Sequence, residues 1–268
     1  MMLGCKPSAP NDLQRSLYVA NYTAKMPAPP PELDRSEALV GLEWGYLGND
    51  KFNDCAVAAA GHAAQLVNWL SQDHKKLDPT TLTNEVVATY KDLAGTTAAP
   101  GPNLDPGTVL KHWQSTPIAG EQCSSYTTIR TELTDHRDWM AAIYLFGFAY
   151  LFVRLSDSVC TAVAKNDIRD WVRLDKVPDP TKDNGHCVIA IGYCDKGLKV
   201  VSWGTAITWG WDVVTRSDYE AYAVLLPTWA SGHEPVGLDL AELTADVVNV
   251  KNGLAPPPRP PAGSSGQP

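Results

Sequence analysis

The hydrophobic pattern of this chain changes period once, near residue 140. That switch limits the folds open to it more than any other feature. Before it, the segments read as helices. Ala56–Leu70 places Val57, Ala60, Ala64, Val67 and Leu70 on one stripe. "DPTTLTNEVVATYKDLAG" carries Asp78 as a cap, Pro79 at the first helical position and Gly95 as a stop. "LDPGTVLKHWQ" repeats the Asp-Pro start at Asp105. A further helix ends near Phe146, where Gly147 divides the apolar run "WMAAIYLFGFAYLFV". After it the segments read as strands: Phe148–Leu155, His186–Tyr193, Leu198–Trp203 and Ala221–Leu226. Helices followed by strands predict an α+β protein with a helical lobe and an antiparallel β lobe.

The ends differ from this middle. Residues 1–47 are rich in proline and polar residues, and predict an extended segment laid over a surface outside the core. Residues 48–230 form the domain, 231–254 a C-terminal extension, and 255–268 a proline-rich tail with the composition of disorder.

Composition removes several function classes. Net charge is −8 with no basic run, which disfavours binding to a phosphate backbone. The apolar run of residues 139–153 is shorter than the roughly 18 residues a membrane span needs. The six cysteines form no C-x-x-C pair and no zinc spacing, so neither a metal nor another cofactor is expected. "MMLGC" resembles a lipoprotein signal end but lacks the apolar stretch before it. Free thiols in a reducing, cytoplasmic setting are therefore expected, with a virion-associated setting as the alternative.

Cys55 stands where the polar loop "GNDKFND" meets an alanine-rich helix. A cysteine so placed serves packing as readily as chemistry: buried, it is a small hydrophobe, while at a helix start its thiolate is stabilised. Chemistry needs a histidine. His62 lies seven residues on, about 10 Å along the axis if both are helical, which is too far. His74, His112, His136 and His233 sit in polar, helical or terminal contexts and read as solvated or capping. His186 opens the strand "HCVIAIGY" directly after Asn184-Gly185, so it is the candidate partner.

At this point the chain resembles the papain-like cysteine peptidases. His186 follows Cys55 by 131 residues, within the family's separation of about 130–150. "GHCVIAIGY" resembles the family's G-H-A-V-x-x-V-G-Y strand, and "VVSWGTAITWGW" its N-S-W-G-x-x-W-G hairpin. "PELDRS" resembles the start of the mature family enzymes. These blocks cover roughly residues 30–226 in the family's order. "LGND…DC", "YLFG" and "EAYAVL" are also similar to uncharacterised papain-like proteins of bacteria and their phages.

The resemblance implies a papain-like two-lobed fold with Cys55 as nucleophile and His186 as general base and acid. Asn49 occupies the place of the family's oxyanion-hole glutamine, six residues before the cysteine, though a turn role suits it nearly as well. The family's orienting asparagine is replaced by Val201. Ser202 is a substitute only if the strand register differs, because neighbours on a strand face opposite ways. Phe52 and Ala56 replace a second cysteine and an aromatic residue, as suits a reduced relative. Trp203 and Trp209 are expected to wall the histidine, Asp54 to cap the helix, and Cys187 to face away from the site. Some relatives carry an inhibitory N-terminal segment. Residues 1–47 are short and lack its helical motif, so edge packing is expected instead.

Three functions stay open: a hydrolase cleaving amide bonds of a peptide or protein substrate, an inactive structural or binding module such as a virion component, and an acyl transferase or amidase on the same dyad. No nucleic-acid or membrane partner is expected, and the proline-rich ends suit attachment to a larger assembly.

Overall fold

A computed structural model of the chain describes residues 2–9, 17–164, 171–172, 184–216, 219–232, 238–258 and 260. Three helices come first: α1 (Cys55–Leu70), α2 (Pro79–Ala94) and α3 (Pro106–Ser115). Their ends have the predicted chemistry. The Asp78 side chain accepts from Thr81 N and that of Asp105 from Thr108 N, each with proline just inside the helix. Gly95 closes α2 in the left-handed conformation that other residues adopt only at a cost.

The rest of the chain is more mixed than a helices-then-strands reading. Strand β1 (Ser125–Thr128) precedes α4 (Arg137–Phe146), and β2 (Ala149–Arg154), α5 (Asp157–Ala164) and β3 (Trp171–Val172) follow. Then come β4 (Gly185–Cys194), β5 (Gly197–Ser202), β6 (Thr205–Gly210), α6 (Trp211–Val214), β7 (Glu220–Leu225), α7 (Pro227–Gly232) and α8 (Leu240–Lys251). The described strands make one sheet in the order β1-β7-β2-β4-β5-β6-β3, antiparallel except for β3 beside β6.

Period-two alternation gives this sheet two buried faces. Tyr150, Phe152, Cys187, Ile189, Ile191, Val201, Tyr222 and Val224 join a core with α1–α3. Leu151, Val153, Val188, Ala190, Val200, Ala221 and Ala223 join a second core with Trp139, Ile143 and Phe146 of α4 and Leu243 and Val247 of α8. The sequence pattern therefore separates two cores on opposite faces of a shared sheet.

Helix α1 departs from the predicted stripe. Every residue except Leu70 is buried, because helices α2, α3 and α7 and strand β4 surround it. Small residues permit that approach: a Cβ on Gly61 would stand 2.6 Å from Val86 Cγ2. The buried hydroxyl of Tyr150 donates to Ala56 O at 2.7 Å, tying β2 to the first turn of α1.

The two ends also differ from expectation. Leu17, Val19 and Tyr22 belong to the second core, and Cys5 and Trp44 to the first, so residues 1–47 are not merely a surface layer. Leu33 pairs with Tyr193 of β4, and the Arg35 guanidinium donates to Ile191 O and Ile143 O. Apolar side chains at the right spacing make α8 part of the second core. Past it, the carbonyls of Pro258 and Pro260 accept from Asn21 and Arg130, docking those residues of the expected disordered tail. Most of that tail, and His233, lie outside the described residues.

Candidate active site

Cys55 is the first residue of α1 and is 1% exposed. Its amide belongs to the helix-start N–H groups that the helix itself leaves unpartnered. His186 is the second residue of β4 and 2% exposed. The packing of α1 on β4 brings the two together: Cys55, His186, Asn49, Ser202 and Trp203 line one small cavity. Its volume is about 10 Å³, room for about one water at most.

Burial alone would raise the Cys55 thiol. Hydrogen bonding from the Cys5 thiol, then hydrogen bonding and charge from His186, and the Cys187 backbone N–H, outweigh it and hold the thiol well below its ordinary value. The Nδ1 atom of His186 is buried and meets no partner in ordinary hydrogen-bond geometry. Cys55 and His186 thus share the cavity lining without an ordinary hydrogen bond at Nδ1. The other ring nitrogen, Nε2, lies 2.8 Å from Ser202 Oγ.

Ser202 reaches His186 because the register does shift. Val201 pairs with Ile189 and Val200 with Ala190, but Lys199 pairs with Gly192, leaving Ile191 as an extra residue in β4. That bulge reverses which face β5 presents relative to the hairpin end. Val201 then turns into the helical core, and Ser202 falls in phase with His186. Trp203 and Gly204 form the two-residue turn between β5 and β6, both at positive φ (47° and 79°). The turn lays the Trp203 ring over His186, centroids 4.1 Å apart and 8° from parallel.

Several expectations about individual residues need correction. Trp209 does not wall the histidine; it is buried in the second core, opposite Leu198. Cys187 does not face away. It shares the cavity lining, because α1 covers the sheet face to which it points. Asp54 holds the N-cap position without a side-chain capping bond. Its carboxyl is buried beneath Gly48, neither oxygen has an ordinary hydrogen-bond partner, and burial, then the neighbouring Cys55, push it well above the usual carboxylate range. Asn49 is beside the site, but its Nδ2 donates to Phe52 O at 3.4 Å.

The remaining described histidines make other contacts. His62 lines the same cavity, yet its Nε2 bonds Gly45 O at 3.2 Å and burial lowers it to about 4, so the ring stays neutral. His136 makes no capping bond and stacks on Trp211 at 3.9 Å. His74 is exposed against Trp69, and His112 sits in the last turn of α3.

One site residue carries no signal in the sequence. Cys5 is 2% exposed, packs in the same core as Cys55 and Cys187, and its thiol donates to Lys6 O at 3.7 Å; burial, then the Cys187 and Cys55 thiols, push it up. Nothing in "MMLGCKPSAP" says where a chain end will lie. Here residues 2–8 pass beside the site and bond residues on both sides of it. Met2 N donates to Asn49 O (2.8 Å), Trp203 Nε1 to Met2 O (3.4 Å), Cys5 N to Gly185 O (3.3 Å) and Lys6 N to Leu104 O (3.1 Å).

No protein-family model matches the chain, and no curated protein matches it in sequence. Among solved structures it is similar to "proCathepsin B S9 from Trypanosoma congolense", at 10% identity and a TM-score of 0.52, over 84% of this chain and 86% of that one. An identity so low speaks for the fold alone: helices packed on a mainly antiparallel sheet, as in that papain-like neighbour.

Proposed function

We propose that this chain is a thiol-dependent hydrolase of amide bonds, a papain-like peptidase in its chemistry, with Cys55 as nucleophile and His186 as general base and acid. The observation that carries the reading is the convergence at the start of α1: a thiol held low beside an imidazole whose far nitrogen bonds a buried hydroxyl. With Ser202 Oγ accepting from Nε2–H, Nδ1 is free to exchange a proton with the sulfur. The thiolate attacks the substrate carbonyl carbon, and the oxyanion meets the Cys55 backbone N–H and the Asn49 amide once it turns from Phe52. His186 then protonates the leaving amine, and water taken up by the same imidazole hydrolyses the thioester.

The test uses fluorogenic peptides together with iodoacetamide. Cys55 should alkylate faster than free cysteine near neutral pH, and both Cys55→Ala and His186→Ala should abolish hydrolysis. If Cys55 reacts no faster than free cysteine and His186→Ala changes nothing, the reading falls. Product analysis with added amines separates hydrolysis from acyl transfer, which shares the first half-step.

A second reading, an inactive binding module on the same fold, is favoured by one feature: Cys55 is buried and the cavity it lines is only about 10 Å³. It expects Cys55→Ala to leave the biological role intact.

A further inference from the structure

The strap formed by residues 2–8 is held at both ends. Near its start lie the Met2 bonds to Asn49 and Trp203. At its far end, Ser8 N and Oγ donate to the Glu220 carboxylate at 2.7 and 2.6 Å, and Gly107 N donates to Ser8 Oγ at 2.8 Å. Between the anchors the fit is tight. A side chain at Gly4 would collide with the Asn53 backbone, and one at Gly185 with the Cys5 carbonyl and the Phe152 ring. The strap therefore sits in one register, and that register buries Cys5 in the same core cluster as Cys55, where the two thiols shift one another.

Burial and the neighbouring thiols push the Cys5 thiol up, whereas hydrogen bonding from Cys5 and His186 pushes that of Cys55 down. A thiolate beside a second thiol is the arrangement in which one sulfur is oxidised and the other resolves it. No group of three or more His, Cys, Asp or Glu among the described residues is arranged to hold a metal ion.

We propose that the strap is a redox latch: a peroxide joins Cys5 to Cys55 in a disulfide that blocks the nucleophile and fixes residues 2–8 in the crevice. The Cys55 thiolate attacks the peroxide, one oxygen leaves as water after protonation, and Cys55 becomes a sulfenic acid. The Cys5 sulfur attacks that sulfur, a second water leaves, and the S–S bond forms. Two thiols and one hydrogen peroxide thus give one disulfide and two waters. A dithiol reductant reverses it. As regulation of hydrolysis, the latch rests on Cys55 being the nucleophile proposed above.

The test is non-reducing peptide mapping of the full chain before and after stoichiometric hydrogen peroxide, then after dithiothreitol. The peptides holding Cys5 and Cys55 should be joined, with loss of two hydrogens. Alkylation of Cys55 by iodoacetamide should be lost, and dithiothreitol should reverse both changes. In Cys5→Ser, excess peroxide should carry Cys55 to the sulfinic acid, which dithiothreitol does not restore. Cys187→Ala should still cross-link. A Cys5–Cys187 bond, or a Cys55 sulfinic acid in the unaltered chain with Cys5 still a thiol, overturns the proposal. The readout is the bond itself, so the two ideas fail separately. A cross-link in a protein that never hydrolyses peptides removes the peptidase reading alone; active protein that forms no cross-link removes the latch alone.

Discussion

Replacing Ser202 by alanine removes the hydroxyl that lies 2.8 Å from His186 Nε2. Both residues are 2% exposed, and the adjoining cavity of about 10 Å³ leaves little room for a replacement water. A hydrogen bond to an ionised group contributes about 1.5–3 kcal/mol, and a buried donor left without a partner forfeits it. In the proposed chemistry an imidazolium balances the Cys55 thiolate, and losing this bond destabilises it by that amount. The equilibrium between thiolate–imidazolium and thiol–imidazole should shift about 10- to 150-fold toward the neutral pair. Titrating the ultraviolet absorbance of the Cys55 thiolate, with Cys55→Ala as the blank, measures this directly. The Ser202→Ala curve should move to higher pH, and iodoacetamide alkylation should slow near neutrality and converge with the unaltered protein in alkali. Ser202→Thr retains a hydroxyl and should restore most of the effect. If the Ser202→Ala titration superimposes on that of the unaltered chain, Ser202 does not support the imidazole.

Three further outcomes are expected. Ser8→Ala removes the hydroxyl bonds to Glu220 and to Gly107 N; at about 1–3 kcal/mol the strap should open more often, and Cys55 should alkylate about 5- to 100-fold faster. For His62, folding lowers the imidazole from 6.5 to about 4, so the unfolded chain binds the proton more tightly. Its contribution is intact above about pH 6.5 and is lost as pH falls toward 4, by about 3 kcal/mol at the limit, in urea denaturation; His62→Gln, which keeps a donor for Gly45 O, should flatten that acid limb. Asp138→Ala removes the carboxylate to which the Arg130 guanidinium now donates at 2.7 and 2.9 Å, each residue about 6% exposed, and leaves that cation without its opposite charge. Denaturation should show a loss of about 3–5 kcal/mol.

Local chemistry made much of this chain legible before any fold was known. Asp78 and Asp105 each precede a proline and cap the helix they begin, while Gly95 and Gly147 end theirs, because capping and left-handed φ depend on a few adjacent residues. The same locality marked Cys55 at a helix start and His186 at a strand start. Burial was less readable: α1 is enclosed on all sides, although its alanines suggested a single stripe.

What tertiary structure alone decided depends on contacts between distant segments. Ser202 serves His186 because Ile191 bulges from β4, and one inserted residue changes the face of everything beyond it. Trp209, equal to Trp203 in the sequence pattern, lies opposite Leu198 by its place in β6, whereas the β5–β6 turn lays Trp203 over His186. Cys5 reaches Cys55 across fifty residues because Glu220, Asn49 and Gly185 together hold a strap that has no secondary structure of its own to announce it. Helix ends are set by neighbours along the chain; a crevice and whatever fills it are set by neighbours in space.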